Sequence, residues 1–64
     1  MYTNLIVAMR KKKLAQKQLA RMIGISDTSF SRKMNGKAVF TLPEAQAIAT
    51  HLQCSLDYLF QKEN

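Results

Sequence analysis

Two short segments of helical pattern are separated by only three residues, Gly24-Ile25-Ser26. Residues 16–23 have apolar side chains at helical spacing and predict one helix, and another is predicted from Ser26 to about Met34. Gly24 tolerates the positive φ at which helices end, and Ser26 is a strong N-cap. So short a join leaves no slack, and we therefore predict that the two helices cross sharply rather than lie antiparallel.

A first helix is indicated by Leu5, Ile6 and Met9, which lie on one face. We expect it to start near Thr3 or Asn4, since both are good N-caps, and to fade within the lysine run that follows.

Two further helices are indicated by their capping residues. Thr41 and Glu44 have the spacing of a capping box, with Pro43 in the first turn, and Asn35-Gly36 is a turn that precedes them. Ser55 is placed to cap a last short helix. The predicted inward residues of these two helices are Leu42, Ala45, Ile48, Ala49, Leu52, Leu56, Leu59 and Phe60.

No stretch alternates with a period of two for long enough to be a convincing strand. The predicted fold is therefore all-α, a compact five-helix bundle. We expect residues 1–64 to form a single domain, with a helix-turn-helix at about 16–35.

Composition excludes several classes of function. With 47% hydrophobic residues, two glycines and one proline, the chain is suited to a packed core rather than to disorder. Cys54 is the only cysteine, and one cysteine with the nearby His51 predicts neither a disulfide nor a metal site. We find no catalytic pairing and no phosphate loop, so we expect no enzyme activity, no cofactor and no small-molecule ligand.

The apolar stretch at residues 5–9 is followed by positive charge rather than preceded by it, which is the reverse of a secretory signal. No run approaches the length of a membrane span. We therefore expect a cytoplasmic protein without a membrane partner.

Charge is distributed unevenly along the chain. Residues 1–37 carry nine Lys or Arg against Asp27 alone, a net +8, whereas residues 38–64 carry one Lys against three acidic residues, a net −2, and the two add to +6. Such a basic half is typical of a surface that binds a polyanion such as nucleic acid. A solvated lysine-rich face would give the same imbalance, and charge alone does not decide between them.

Several short motifs follow one another along the chain in a fixed order. They are Gln16-Lys17-Gln18-Leu19-Ala20, Gly24-Ile25-Ser26, Asn35-Gly36-Lys37, Ile48-Ala49 with Leu52, and Ser55-Leu56-Asp57-Tyr58-Leu59-Phe60. With these motifs the chain resembles the Cro and phage-repressor type of helix-turn-helix protein, also called the xenobiotic-response-element family, over nearly its whole length. The resemblance implies a lambda-repressor-like fold.

The resemblance also implies roles for individual residues. Base-facing positions of the recognition helix match Asp27, Thr28, Ser29 and Arg32. Phosphate-contacting positions, including a loop that grips phosphates with backbone and side chains, match Gln16, Lys17, Asn35, Gly36 and Lys37.

Among these positions Arg32 is the best candidate for a base contact, because Arg with guanine is the commonest specific pairing. A phosphate contact by Arg32 remains the alternative. Thr28 and Ser29 specify weakly, and for Asp27 we favour an interaction with the helix dipole over one with a base.

The chain departs from the family pattern at several positions. Ala15 stands where a Thr or Ser cap is usual, Lys13 replaces a glycine after the first helix, and Lys33 occupies an apolar position, so that Met34 is expected to reach the core instead. The family often pairs an arginine with a glutamate at the positions of Met9 and Met34. We hypothesise that a thioether contact replaces that ion pair.

The resemblance implies sequence-specific binding of double-stranded DNA by a transcription regulator, a repressor of phage or prophage type. Family members bind pseudo-palindromic operators as homodimers. Val39, Phe40, Tyr58 and Phe60 could supply a dimer contact, or Phe40 could simply cover the base of the fourth helix. A protein-interaction module of the same fold, such as an antitoxin or anti-repressor, is the alternative function.

Overall fold

Five helices account for the regular structure of residues 2–61, the part of the chain that the computed structural model describes. They are α1 (Thr3–Lys11), α2 (Gln16–Ile23), α3 (Asp27–Met34), α4 (Leu42–Leu52) and α5 (Leu56–Leu59). Within this range there is no strand, so the prediction of an all-α fold with five helices is confirmed. No helix in this range is long and apolar enough to cross a bilayer.

Each helix contributes to one core. Its fully buried large side chains are Leu5, Leu19, Phe30, Ile48, Leu52 and Leu59. Helix α2 packs on α3 and α4, while α5 packs on α1 and α4. Ala20 lies on the buried face of α2 and is 1% exposed. Its side chain is only a methyl group, which permits a close approach of α3.

The predicted caps of α3, α4 and α5 are confirmed. Ser26 Oγ accepts the backbone N–H of Ser29 at 3.1 Å, and Ser55 Oγ accepts that of Tyr58 at 3.2 Å. Thr41 and Glu44 form a reciprocal capping box. Each bond satisfies an N–H group that has no partner within its own helix.

The predicted cap of α1 is wrong. Thr3 is already the first helical residue, and Tyr2 precedes it without a side-chain capping bond. Asn4, the other expected cap, instead donates from Nδ2 to the carbonyl oxygen of Tyr58 at 2.8 Å. The side chain of Asn4 thus makes a tertiary contact with α5 in place of a local cap.

Four helices end in the same way, with a residue in the left-handed conformation. Gly24 and Gly36 have φ of 83° and 81°, but Lys13 and Gln53 take φ of 57° and 56°. At each end, the N–H of this residue and the next bond back to carbonyls three and five residues earlier, the Schellman pattern. Lys13 thus adopts the conformation usual for glycine, and the turn keeps its Schellman hydrogen bonds.

Phe40 lies at the centre of an aromatic cluster. Its ring centroid is 6.0 Å from that of Tyr2, 5.6 Å from Phe30 and 5.3 Å from Phe60. These spacings are favourable for tilted and edge-to-face aromatic pairs. Phe40 is thus packed against the core just before α4, which agrees with the covering role considered for it.

The apolar stripe predicted for α4 is correct for Ala45, Ile48 and Leu52, but Leu42 is 63% exposed. Side chains in an α-helix lean toward its N-terminus, so that of the first residue points past the end of the helix. Leu42 consequently reaches beyond the core and lies near Val39, which is 82% exposed, at a surface groove.

Candidate nucleic-acid interface

Helix α3 is anchored on one side and free on the other. Phe30 and Met34, one turn apart, are buried in the core. At 100° per residue, Arg32 lies about 180° from the mid-direction of that pair. Arg32 and Thr28 are exposed on this outward face, and Ser29 is half-buried at its flank. Arg32 and Thr28 thus lie on a face that none of the other described helices covers, with Ser29 at its edge.

The fourth, Asp27, is held at the start of α3. Its Oδ1 accepts a hydrogen bond from Gln16 Nε2 at 3.0 Å, and the residue lies in the first turn, next to the Ser26 cap. A carboxylate at this position interacts favourably with the helix dipole. The geometry therefore agrees with the dipole role that we favoured for Asp27.

Gln16 and Lys17 begin α2, and the bond to Asp27 joins the first turn of α2 to that of α3. Ala15 has no side-chain oxygen, so no side chain caps this terminus, although the Ala15 N–H itself donates to Gln18 Oε1 at 2.9 Å. The terminus therefore keeps backbone donors without a side-chain partner, which is the arrangement that favours anions.

The loop after α3 contains the remaining predicted residues, Asn35, Gly36 and Lys37, all exposed. Their three backbone N–H groups donate to carbonyls of α3 at distances between 2.9 and 3.2 Å. These amides close the end of the helix and are not free donors. The expectation that backbone N–H groups of this loop contact phosphates is therefore corrected. Only the side chains of Asn35 and Lys37 remain as candidates for phosphate contacts from this loop.

Lys33 is directed away from this surface. Its Nζ lies 2.7 Å from both carboxylate oxygens of Glu44, and the two side chains are only 16% and 17% exposed. The hydrogen bond from Lys33, followed by that from the backbone of Thr41, holds the pKa of the Glu44 carboxyl below its ordinary value near 4.5. Lys33 therefore adds no free positive charge to the outward face of α3.

Lys33–Glu44 is the one ion pair within residues 2–61. The other Lys and Arg side chains in this range are exposed, and they are Arg10, Lys11, Lys12, Lys13, Lys17, Arg21, Arg32 and Lys37. Only Asp27 opposes them within α1, α2 and α3. Exposed and unpaired positive charge attracts a polyanion over a range of about one Debye length.

Sequence reasoning missed two contacts that organise the site, Gln16–Asp27 and Lys33–Glu44. The residues of each pair are eleven positions apart on different helices, and local spacing carries no signal for such contacts. The replacement of an apolar family position by Lys33 was the only available indication, since a lysine there needs either solvent or an acidic partner.

An open apolar groove of about 460 Å³ lies beside the loop that follows α3. Val39 and Leu42 are its most exposed apolar residues, and Phe40, Leu56 and Phe60 also line it. Cys54 lies elsewhere, half-buried against the core. Residues 2–61 contain no cluster of three His, Cys, Asp or Glu side chains that could hold a metal ion.

Comparison with known proteins gives one result. The family model of the Cro/C1-type helix-turn-helix DNA-binding domain matches residues 4–61, which include all of α2, α3, α4 and α5. Searches of curated proteins and of solved structures found no significant match. The chain therefore belongs to the family of Cro/C1-type helix-turn-helix DNA-binding domains.

Proposed function

We propose that this protein is a transcription regulator that binds double-stranded DNA sequence-specifically, with α3 in the major groove. The observation that carries the proposal is the division of α3 into a buried face, with Phe30 and Met34, and an uncovered face, with Thr28 and Arg32. The major groove of B-DNA is about 12 Å wide and accepts one helix. An uncovered helix face that carries the exposed and unpaired Arg32 suits that groove.

Arg32 is the proposed base reader, through a bidentate contact with guanine O6 and N7. It extends from the middle of the outward face, and its guanidinium has no acidic partner among the described residues. Thr28 and Ser29 add weaker contacts, because a hydroxyl can donate to or accept from any base. Asp27 positions the start of the helix through Gln16.

Phosphate contacts are proposed on both sides of α3. Gln16 uses one N–H of its amide for Asp27, which leaves the second available to a phosphate, and Lys17 stands beside it on α2. On the other side, Asn35 and Lys37 extend from the turn at Gly36. Such contacts fix the register of the protein on DNA and carry no sequence information by themselves.

We further propose that two copies bind a pseudo-palindromic operator whose half-sites are one helical turn apart. The groove around Val39 and Leu42 is the candidate contact between copies, since these two side chains are the most exposed large apolar residues. Replacing both with serine should weaken binding to a two-half-site duplex and leave binding to a single half-site unchanged. Equal loss on the two duplexes would contradict this assignment.

Repression of the phage or prophage type completes the proposed activity and rests on the resemblance. We also propose action in the cytoplasm and a single domain over residues 1–64, which rest on the order of apolar and charged residues at 5–13 and on chain length. Repression is tested with a reporter promoter that overlaps the bound site. Expression of the protein should lower the reporter signal, and Arg32→Ala should restore it. A signal that rises on expression would instead identify an activator.

A salt titration separates DNA binding from the alternative, a protein-interaction module such as an antitoxin or anti-repressor. Binding to a labelled duplex, measured by fluorescence anisotropy from about 50 to about 200 mM salt, should show a log–log slope of several units. Lys37→Ala should reduce that slope by about one. Failure to bind duplex DNA at low salt would contradict the proposal and favour the protein module.

A further inference from the structure

Lys33 and Glu44 join the end of α3 to the start of α4. The ammonium of Lys33 donates to both carboxylate oxygens of Glu44 at 2.7 Å, with 16% and 17% of the two side chains exposed. Charged hydrogen bonds of this length are among the stronger ones in proteins. This partly buried pair spans the loop that contains the proposed phosphate contacts.

Both ends of that loop are tied to the pair. At one end, the N–H of Gly36 donates to the carbonyl of Lys33 at 3.2 Å. At the other end, Glu44 Oε1 also accepts the N–H of Thr41 at 2.9 Å, and Thr41 Oγ1 accepts the N–H of Glu44 at 3.3 Å. The segment 35–40 is thus closed between two anchor points that share one ion pair.

We propose that Lys33 and Glu44 are positioning residues for DNA recognition, which hold α3 and the 35–40 loop in the arrangement that binds DNA. This inference rests on the proposed function. A loop released from its anchors has to be ordered again on binding, which costs conformational entropy. Lys33 therefore acts through the loop rather than by contact with a phosphate.

For Glu44→Gln, a positioning role and simple electrostatic attraction predict opposite changes in DNA affinity. Glu44→Gln removes one negative charge and raises the net charge from +6 to +7. Attraction to DNA alone would then tighten binding. If the pair positions the loop, Glu44→Gln instead weakens binding by about threefold to tenfold.

The experiment measures Kd and salt slope by anisotropy on one labelled duplex at a temperature where circular dichroism shows every variant folded. The variants are Glu44→Gln, Lys33→Met and the double change. Lys33→Met restores an apolar side chain, which suits a partly buried position. Lys33→Arg keeps the charge and the pair. Ser55→Ala removes a capping bond within α5 that involves neither the loop nor the ion pair, and it serves as a control for lost stability.

We expect both single changes to weaken binding by about threefold to tenfold with an unchanged slope, and the double change to be no worse than either. Lys33→Arg and Ser55→Ala should bind like the unmodified protein. Tighter or equal binding by Glu44→Gln would overturn the proposal, as would a slope that falls by about one in Lys33→Met, since that marks a phosphate contact. If the unmodified protein does not bind duplex DNA, the proposed function fails and this inference fails with it.

Discussion

The side-chain amide of Gln16 donates to Asp27 Oδ1 at 3.0 Å, and this bond joins the N-termini of α2 and α3. Both termini present backbone N–H groups, and α3 also carries the proposed base reader Arg32. A shift of Gln16 relative to Asp27 would therefore change the distance between the proposed phosphate contacts and the proposed base contacts.

Gln16→Ala should weaken binding to every duplex by about tenfold, because it removes a phosphate donor and the support of Asp27 together. Asp27→Asn is the matched variant, since it keeps an oxygen that can accept from Gln16 and removes a negative charge near DNA. We expect it to bind unrelated duplexes more tightly. Anisotropy on a selected and an unrelated duplex measures both effects. Unchanged Kd values for Gln16→Ala would contradict the assignment.

The lowered pKa of Glu44 predicts how stability depends on pH. A carboxyl whose pKa is lower in the folded state stabilises that state above its unfolded pKa, and this contribution is lost as the pH falls through the folded pKa. The difference in unfolding free energy between the unmodified protein and Glu44→Gln should be constant from about pH 7 to about pH 5. It should shrink below about pH 4.5.

Denaturant unfolding at each pH measures this difference, and the other acidic residues titrate in both proteins and cancel. A difference that stays constant down to about pH 3 would show that the Lys33–Glu44 pair does not contribute to stability.

The left-handed residue Lys13 predicts a stabilising substitution. A side chain at this φ costs about 1–2 kcal/mol, and glycine avoids the strain but is freer in the unfolded chain by about 0.5–1 kcal/mol. Lys13→Gly should therefore raise the unfolding free energy by about 0.5–1 kcal/mol.

Gly24→Ala is the reciprocal control. A Cβ at Gly24 would meet no atom within 4 Å, so its cost of about 1 kcal/mol should come from φ alone. Chemical denaturation measures both variants. A loss of stability in Lys13→Gly would show that the lysine at this position makes a stabilising interaction of its own.

Met9 and Met34 are both buried in the same core, at 6% and 7% exposure, where the family often has an ion pair. A single charge there lacks a partner, which is strongly unfavourable, whereas a pair compensates part of the cost of burial. Met9→Arg combined with Met34→Glu should thus be tolerated better than either change alone. Thermal unfolding compares the three variants. A double change that is tolerated no better than the single changes would disprove the pairing.

Local chemistry explains which parts of the fold were predictable. Ser26, Thr41 and Ser55 each bond to a backbone N–H three residues on, so their spacing in sequence is sufficient to identify them. Gly24 was predictable for a similar local reason, because glycine adopts a positive φ without the steric cost of a Cβ atom.

The features that were missed depend on tertiary structure. Helix α1 begins directly after Tyr2, whose ring lies 5.4 Å from that of Phe60, and local N-cap preferences do not include such a contact. The left-handed conformation of Gln53 was not predictable, because no glycine marks that helix end in the sequence. The site residues were predicted from the family resemblance. The bonds that hold them, Gln16–Asp27 and Lys33–Glu44, join different helices and are visible only in the folded structure.

The central claim is that Arg32 reads a base from the outward face of α3. Selection of bound sites from random duplex DNA, carried out with the unmodified protein and with Arg32→Ala, tests it most directly. We expect the unmodified protein to select a defined site. Arg32→Ala should lose preference at one base pair of each half-site and bind that site less tightly by about 1–3 kcal/mol. An unchanged preference at every position, with uniformly weaker binding, would show that Arg32 contacts only phosphate and would contradict the claim.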